Sequence, residues 1–84
     1  MRLVFEDQGR EDYTSWLKND RKKLARINKL IEDVRGNPLT GIGKPEPVKY
    51  HLPGAWSRRT DDEHHLVYLV TDKEIVILTA RHHY

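Results

Sequence analysis

The most regular pattern of apolar and polar positions in the chain lies between residues 21 and 36. Apolar residues recur there at spacings of three, four and three, which gives one stripe along an amphipathic helix. The stripe consists of Leu24, Ile27, Ile31 and Val34. Asp20 is a good N-cap for this helix, Gly36 is suited to its C′ position, and Pro38 prevents its continuation.

The remaining chain is read from shorter patterns. Residues 2–6 are apolar and β-branched between charged ends, which predicts a strand, and residues 7–18 predict a first helix. Trp16 and Trp56 are expected in the core. A loop rich in glycine and proline follows the second helix, with a short strand near residues 48–52. Three further strand-like segments cover residues 55–60, 64–70 and 74–81.

This order of elements predicts an α+β fold in one domain, residues 1–84. Two N-terminal helices are expected to pack on one face of a twisted, mostly antiparallel sheet of four to five strands. An antiparallel sheet often leaves its second face in water. We therefore expect that uncovered face to be a platform for a polyanion.

Strict alternation divides the final strand into two faces. One face carries Ile75, Ile77, Thr79, Arg81 and His83, and the other carries Val76, Leu78, Ala80 and His82. The second set is the more uniformly apolar and small, so we predict that it lies beneath the helices. Arg81 and His83 would then emerge on the uncovered face.

The partner of Arg81 across the last hairpin depends on the length of its loop. A two-residue turn sets His64 opposite Arg81, whereas a three-residue loop sets His65 there. A slip of one residue exchanges every partner, so spacing alone leaves both registers open.

Composition excludes several classes of protein. The chain has no cysteine, which rules out disulfides, zinc–thiolate sites and cysteine nucleophiles. A third of the residues are charged, yet the formal net charge is only +2, which is typical of a soluble protein with a patterned surface. The first residues resemble neither a signal peptide nor a membrane span, so we expect a cytoplasmic protein without a membrane partner.

Basic and titratable residues concentrate in the second half of the chain, which predicts a positive surface there. The set comprises His51, His64, His65, His82, His83, Lys44, Lys49, Arg58, Arg59 and Arg81. Neighbouring residues on a strand point to opposite faces, so neither adjacent histidine pair can chelate one ion. We therefore predict no metal site and no cofactor.

Acid–base chemistry on RNA fits the residue types in this half. Glu46 lies between two prolines that keep its loop extended, which suits a positioned base, although a solvated loop glutamate is the commoner case. Cleavage through the 2′-hydroxyl of RNA needs a base, an acid and cations around the phosphate. Arg58 and Arg59 point to opposite faces, so at most one meets the patch, and a solvated edge-strand charge is an equal alternative for either.

Three stretches together resemble the YoeB/Txe family of toxins, which belongs to the RelE-like superfamily. They are GIGKPEPVKYHLPGAWSRR, DDEHHLVY and the terminal ARHHY, and the likeness covers nearly the whole chain. The resemblance implies a RelE-like, microbial-ribonuclease-like fold. It also implies a ribosome-dependent endoribonuclease that cuts mRNA in the A site.

The resemblance carries implied partners as well. A YefM-like antitoxin would neutralise the toxin, and operator DNA would be bound only by the toxin–antitoxin complex. The ribosome with A-site mRNA would be the target. A homodimer is plausible for the family.

The resemblance also implies roles for single residues. Glu46 would be the general base and His83 the general acid, while Lys49, Arg59 and Tyr84 would bind or orient RNA. We also expect Lys44, Arg58 and Arg81 to contact RNA, because their side chains are positively charged. The family match favours the three-residue loop, which brings position 65 beside Arg81.

One position departs from the family pattern. The family motif EHRLVY reads EHHLVY here, so His65 replaces an arginine that helps to stabilise the transition-state phosphate. An ordinary histidine is only about a quarter protonated at pH 7. The alternative function is therefore a catalytically weakened homologue that binds ribosome, RNA or antitoxin. A binding domain unrelated to toxins ranks last. His82, where tyrosine is common in the family, is expected to have structural consequences only.

Overall fold

The computed structural model describes residues 1–48 and 53–81. Its elements are β1 (Arg2–Phe5), α1 (Asp7–Asn19), α2 (Arg21–Gly36), β2 (Glu46–Pro47), β3 (Ala55–Arg59), β4 (His65–Val70) and β5 (Glu74–Thr79). They form one five-stranded sheet in the order β1-β5-β4-β3-β2. β1 is parallel to β5 and the other pairs are antiparallel, which confirms the predicted α+β fold.

The ends of α2 follow the sequence closely. The Asp20 carboxylate accepts a hydrogen bond from the Lys23 backbone N–H at 3.1 Å, so the predicted N-cap is confirmed. Gly36 is the last helical residue and Asn37 is the C-cap, so the helix ends two positions later than expected. The predicted strand near residues 48–52 falls mostly outside the described residues, and the edge strand observed is β2 at Glu46–Pro47.

Both helices cover one face of the sheet, and the main core lies between the two layers. Its buried members are Trp16, Ile27, Leu30, Ile31, Val34, Leu66, Tyr68, Ile75, Ile77 and Ala80, and Trp56 packs against them. The face prediction for β5 is therefore wrong for Ile75 and Ile77, which lie beneath the helices. Bulky β-branched side chains fill the space between a helix and a sheet better than small ones do. Among the described residues, neither helix is long and apolar enough to cross a membrane.

An irregularity in β5 changes its faces part of the way along. Val70 pairs with Ile75 and Tyr68 with Ile77, but Val67 pairs with Thr79, so Leu78 is an extra residue. Such a bulge shifts the register by one and reverses the alternation beyond it. Ala80 consequently faces the helices, as predicted, on the same side as Ile75 and Ile77.

The bulge also answers the open question of the hairpin register. Thr71 N–H donates to the Glu74 carbonyl at 2.9 Å, which leaves a two-residue tip. Beyond Leu78, the residue of β5 that pairs with β4 is one position later than a two-residue tip would give. The predicted three-residue loop is therefore wrong, and the register it would have given is reached only at the pair of Val67 with Thr79. The described ladder ends at that pair, before Arg81.

A glycine allows α1 to approach the sheet closely. Gly9 is buried, and a Cβ atom built there would lie 2.3 Å from the Ile77 carbonyl oxygen. Atoms that are not bonded cannot come so close. The separation of α1 from β5 therefore depends on the missing side chain.

A buried arginine fastens the loop after α2 to the sheet. The Arg58 side chain is 0% exposed, and its Nε donates to the Tyr68 hydroxyl at 3.1 Å. Its terminal nitrogens pair with the Asp33 carboxylate and donate to three backbone carbonyls, those of Asn37, Thr40 and Ile42. The predicted RNA contact by Arg58 is therefore wrong, because the guanidinium faces the interior.

Two partners of Arg58 complete this anchor. Hydrogen bonds from Arg58 and from the Ile42 backbone N–H lower the pKa of the Asp33 carboxyl, which favours its charged form. The Tyr68 hydroxyl donates to the Pro38 carbonyl at 2.8 Å, and burial raises its pKa. The loop that leads from α2 to β2 is thus held at several points before it reaches Glu46.

Replacing Gly9 tests the close approach of α1. We expect Gly9→Ala to lower the free energy of unfolding by about 1–3 kcal/mol, because the new methyl group forces α1 away from β5. Gly36→Ala is the control: a Cβ there meets nothing within 4 Å, so stability should be unchanged or slightly raised. Urea unfolding followed by circular dichroism measures both, and equal effects would contradict the assignment.

Two adjacent arginines give a matched test of the buried anchor. Arg58→Met should lower the free energy of unfolding by at least about 3 kcal/mol, because buried carbonyls and a buried hydroxyl lose their donor. Arg59→Met, at an exposed position, should change it by no more than about 0.5 kcal/mol. Urea denaturation at pH 7 compares them. Similar small losses for both variants would show that Arg58 is not the anchor.

Candidate functional site

The strand register brings three of the predicted site residues to one face. Glu46 pairs with Ser57, and Ser57 with Val67, on strands β2, β3 and β4. Arg59 and His65 form the next pair two residues along. Directly opposite residues point to the same side of a sheet, as do residues two apart on one strand. Glu46, Arg59 and His65 therefore lie together on the face turned away from the helices.

The spacing of these residues suits a ligand lying across β3. Adjacent strands are about 4.8 Å apart and two residues rise about 7 Å along a strand, so the backbones at Glu46 and His65 are separated by about 12 Å. Glu46 and Arg59 are exposed and His65 is partly exposed. A phosphodiester placed over β3 would therefore have Glu46 on its β2 side and His65 on its β4 side, with Arg59 on β3 itself.

This face is less open than the sequence predicted. Ala55, Val67 and Val76 are buried on it and form an apolar patch apart from the main core. The row of Arg59 and His65 lies at one end of β3 and β4, beyond that patch. The expected platform is thus confined to one end of the face.

The turn between β3 and β4 fixes the pairing of Arg59 with His65. Thr60 N–H donates to the His64 carbonyl at 2.9 Å, and the Asp61 carboxylate accepts the His64 N–H at 2.7 Å. Lys23 Nζ lies 2.7 Å from the other Asp61 oxygen. Burial opposes ionisation of Asp61, but the hydrogen bonds from Lys23 and from two backbone N–H groups outweigh it. They lower its pKa to about 2.

The loop that carries Glu46 is tied to β3 on either side of the glutamate. Arg59 N–H donates to the Gly43 carbonyl at 2.6 Å, and Val48 N–H donates to the Ala55 carbonyl at 2.9 Å. Lys44 has a φ of 52°, which is uncommon for a residue with a side chain, and its side chain is exposed. These constraints hold the backbone of Glu46 still, as a positioned base requires.

The structure directs Arg81 toward α1 and not onto the uncovered face, so that prediction is wrong. Its Nε donates to the Ser15 hydroxyl at 2.9 Å, and its guanidinium carbon lies 4.0 Å from the centre of the Trp16 ring. His64 is also on the helix side, 4.8 Å from the Trp16 ring in an edge-on arrangement. The contact with Trp16 explains the orientation, because a guanidinium stacks well on an aromatic face.

Several predicted site residues cannot be placed against this geometry. Lys49, His83 and Tyr84 lie outside the described residues, and so do His51 and His82. Their assignments stay predictions. In residues 1–48 and 53–81, no group of three or more histidine, aspartate or glutamate residues is arranged to hold a metal ion.

Sequence reasoning missed two residues that act at the end of β5. The Asp12 carboxylate accepts the Ala80 N–H at 2.9 Å, and the Trp16 indole N–H donates to the Ala80 carbonyl at 2.9 Å. Asp12 and Trp16 are four residues apart, so the sequence alone indicates that they share one face of α1. Nothing in the sequence showed which distant backbone they would meet.

Comparison with known proteins agrees with this architecture. The model of the YoeB-like toxins of bacterial type II toxin–antitoxin systems matches residues 5–84. A curated relative, toxin YoeB of Streptomyces coelicolor, is 54% identical over 100% of both chains.

Solved structures show the same similarity in three dimensions. A YoeB/ParE toxin from Agrobacterium tumefaciens superposes with a TM-score of 0.95 at 37% identity, covering 100% of both chains. The toxin in a heterotetrameric YoeB–YefM complex from Staphylococcus aureus gives 0.89 at 42% identity, covering 100% of this chain and 98% of that one. From its sequence, fold and relatives together, the chain belongs to the family of YoeB-like toxins of bacterial type II toxin–antitoxin systems.

Proposed function

We propose that this chain is a ribosome-dependent endoribonuclease that cleaves mRNA in the ribosomal A site and so stops translation. The observation that carries the proposal is the shared face of Glu46, Arg59 and His65 in a YoeB-like toxin. The backbones at Arg59 and His65 lie about 8 Å and about 12 Å from that at Glu46, which leaves a space that suits one phosphodiester.

The chemistry proposed is transfer of the phosphoryl group to the neighbouring 2′-oxygen. Glu46 takes the proton of the 2′-hydroxyl as that oxygen attacks the phosphorus. The bond from phosphorus to the 5′-oxygen breaks, and His83 donates a proton to the leaving oxygen. The products are a 2′,3′-cyclic phosphate and a 5′-hydroxyl, so atoms and protons balance without a co-reactant. This mechanism requires no metal ion or cofactor.

Cations next to the phosphate supply the remaining stabilisation. Arg59 is exposed beside His65, so both can approach the non-bridging oxygens, where charge develops in the transition state. We assign Lys44 and Lys49 to the RNA backbone and Tyr84 to stacking on a base. Arg58 is left out of this set because it is buried, and Arg81 because it contacts α1.

The proposal includes partners of the same system. YoeB from Staphylococcus aureus occurs in a complex with YefM and as a dimer, at 42% identity to this chain. We infer a YefM-like antitoxin and a homodimer for this protein. Operator DNA is assigned to the toxin–antitoxin complex, and the cytoplasm follows from the ribosomal target.

A second candidate function rests on His65. At this position the chain has an imidazole beside Arg59, where the family motif has a guanidinium. A neutral imidazole stabilises a phosphate less than a guanidinium does. The alternative is therefore a weakened toxin that still binds ribosome, RNA or antitoxin.

A purified translation reaction tests the nuclease and its acid–base pair. We expect wild type to produce a new mRNA end inside the A-site codon, detected by primer extension. Glu46→Gln and His83→Gln should each slow the cut roughly 10²- to 10⁴-fold, because each removes one proton-transfer group. Glu11→Gln, at an exposed position on α1, is the matched control and should cut like wild type. A cut that survives in Glu46→Gln would reject the proposed base.

The pH dependence of His65→Arg tests the departure from the family. Between pH 8 and pH 6 the rate of wild type relative to His65→Arg should rise roughly tenfold or more, because only the histidine gains charge in that range. Single-turnover cleavage at each pH gives the ratio. Parallel profiles would show that the charge of His65 is not used. No cut by wild type with a strong cut by His65→Arg would favour the weakened toxin.

A further inference from the structure

Ala80 lies just beyond the regular pairing of β5, and its backbone is held by a helix. The last pair of the β4–β5 ladder is Val67 with Thr79. At the next residue, Asp12 accepts the N–H of Ala80 and Trp16 donates to its carbonyl oxygen, both at 2.9 Å. Side chains of α1 thus replace the strand partner where the ladder stops.

The residue after Ala80 is fixed from the same helix. Arg81 donates to the Ser15 hydroxyl at 2.9 Å and stacks on the ring of Trp16. Asp12 and Trp16 are only 5% and 4% exposed, so these hydrogen bonds are shielded from water. Two consecutive residues therefore have their positions set by one face of α1.

This clamp, formed by Asp12, Ser15 and Trp16, fixes the point from which the terminal segment starts. His83 follows Arg81 by two residues in the sequence, and two residues of any chain span at most about 7 Å. A displacement of Ala80 would therefore be passed directly to the proposed general acid. Misplacement of a catalytic group by about 1 Å can cost roughly 100-fold in rate.

We propose that Asp12 and Trp16 are positioning residues, which place the terminal acid at the leaving oxygen through their grip on Ala80. The inference rests on the proposed function. It assigns the clamp to protonation of the leaving group only. The proposed base, Glu46, does not depend on the clamp, because it is held by β3 and by the loop after α2. Loss of the clamp should impair protonation of the leaving group and spare attack by the 2′-oxygen.

A sulfur atom in the leaving group separates these two halves. An mRNA with sulfur in place of the 5′-bridging oxygen at the scissile bond expels a thiolate, which needs no proton from an acid. Variants that have lost only the acid should therefore recover on this substrate. Variants that have lost the base, or the fold as a whole, should not.

Trp16→Phe is the variant of choice, because it keeps an aromatic ring under Arg81 and removes the indole N–H. Tyr13→Phe is its matched control, since it removes one hydrogen bond from an aromatic residue on the same helix, to Asn28 and away from Ala80. Asp12→Asn retains an oxygen that can accept the Ala80 N–H, and Asp12→Ala does not. Circular dichroism confirms that each variant is folded at the assay temperature.

The assay measures single-turnover cleavage at saturating protein on ribosomes programmed with each mRNA. We expect Trp16→Phe and Asp12→Ala to cut the natural mRNA roughly 10- to 100-fold more slowly than wild type. On the sulfur-containing mRNA both should come within about threefold of wild type, as should His83→Gln. Asp12→Asn should be closer to wild type than Asp12→Ala, and Tyr13→Phe should match wild type on both substrates.

The remaining outcomes distinguish the inference from the function beneath it. Sulfur rescue of His83→Gln together with equal losses of Trp16→Phe on both substrates would overturn the clamp's role and leave the nuclease intact. Cleavage of the natural mRNA by Trp16→Phe at the rate of wild type would also overturn the clamp's role. A wild type that cleaves neither substrate would overturn the proposed function, and the positioning role with it.

Discussion

The rest of the structure depends most on the hydrogen bonds and the ion pair of one buried guanidinium, that of Arg58. A charged group in the interior is costly unless it is fully paired, and Arg58 is paired with Asp33, with Tyr68 and with three loop carbonyls. These partners come from α2, from the sheet and from the connecting loop. Through them a loop with little apolar surface acquires a fixed path, and that path ends at Glu46.

The loop that carries the proposed base and the residues that precede the proposed acid are held independently. The backbone of Glu46 is held by the loop after α2 and by β3, and Ala80 is held by α1. Ala80 is held from the helix side of the sheet, whereas Glu46 belongs to the opposite face. Changes within α1 are therefore expected to alter the proposed catalysis as well as stability.

Much of the fold could be predicted from local patterns, and the failures have a common cause. The stripe on α2 and its Asp20 cap depend on residues close in sequence, and so does the order of helices and strands along the chain. The bulge at Leu78 does not, because only pairing with β4 reveals an extra residue. Nothing local distinguishes Arg58 from Arg59 either, although one is buried and the other exposed. The partner of Asp12 is a backbone 68 residues away, which no spacing rule could have supplied.

The parallel pairing of β1 with β5 has a consequence for how the protein is made. β1 and α1 both pack on β5, which is the last of the described strands along the chain. A nascent chain therefore cannot bury its N-terminal elements until residues 74–79 have left the ribosome, since contacts so distant in sequence form late. The order of synthesis thus delays completion of the proposed site. The sheet of this protein is therefore complete only after its synthesis has passed β5.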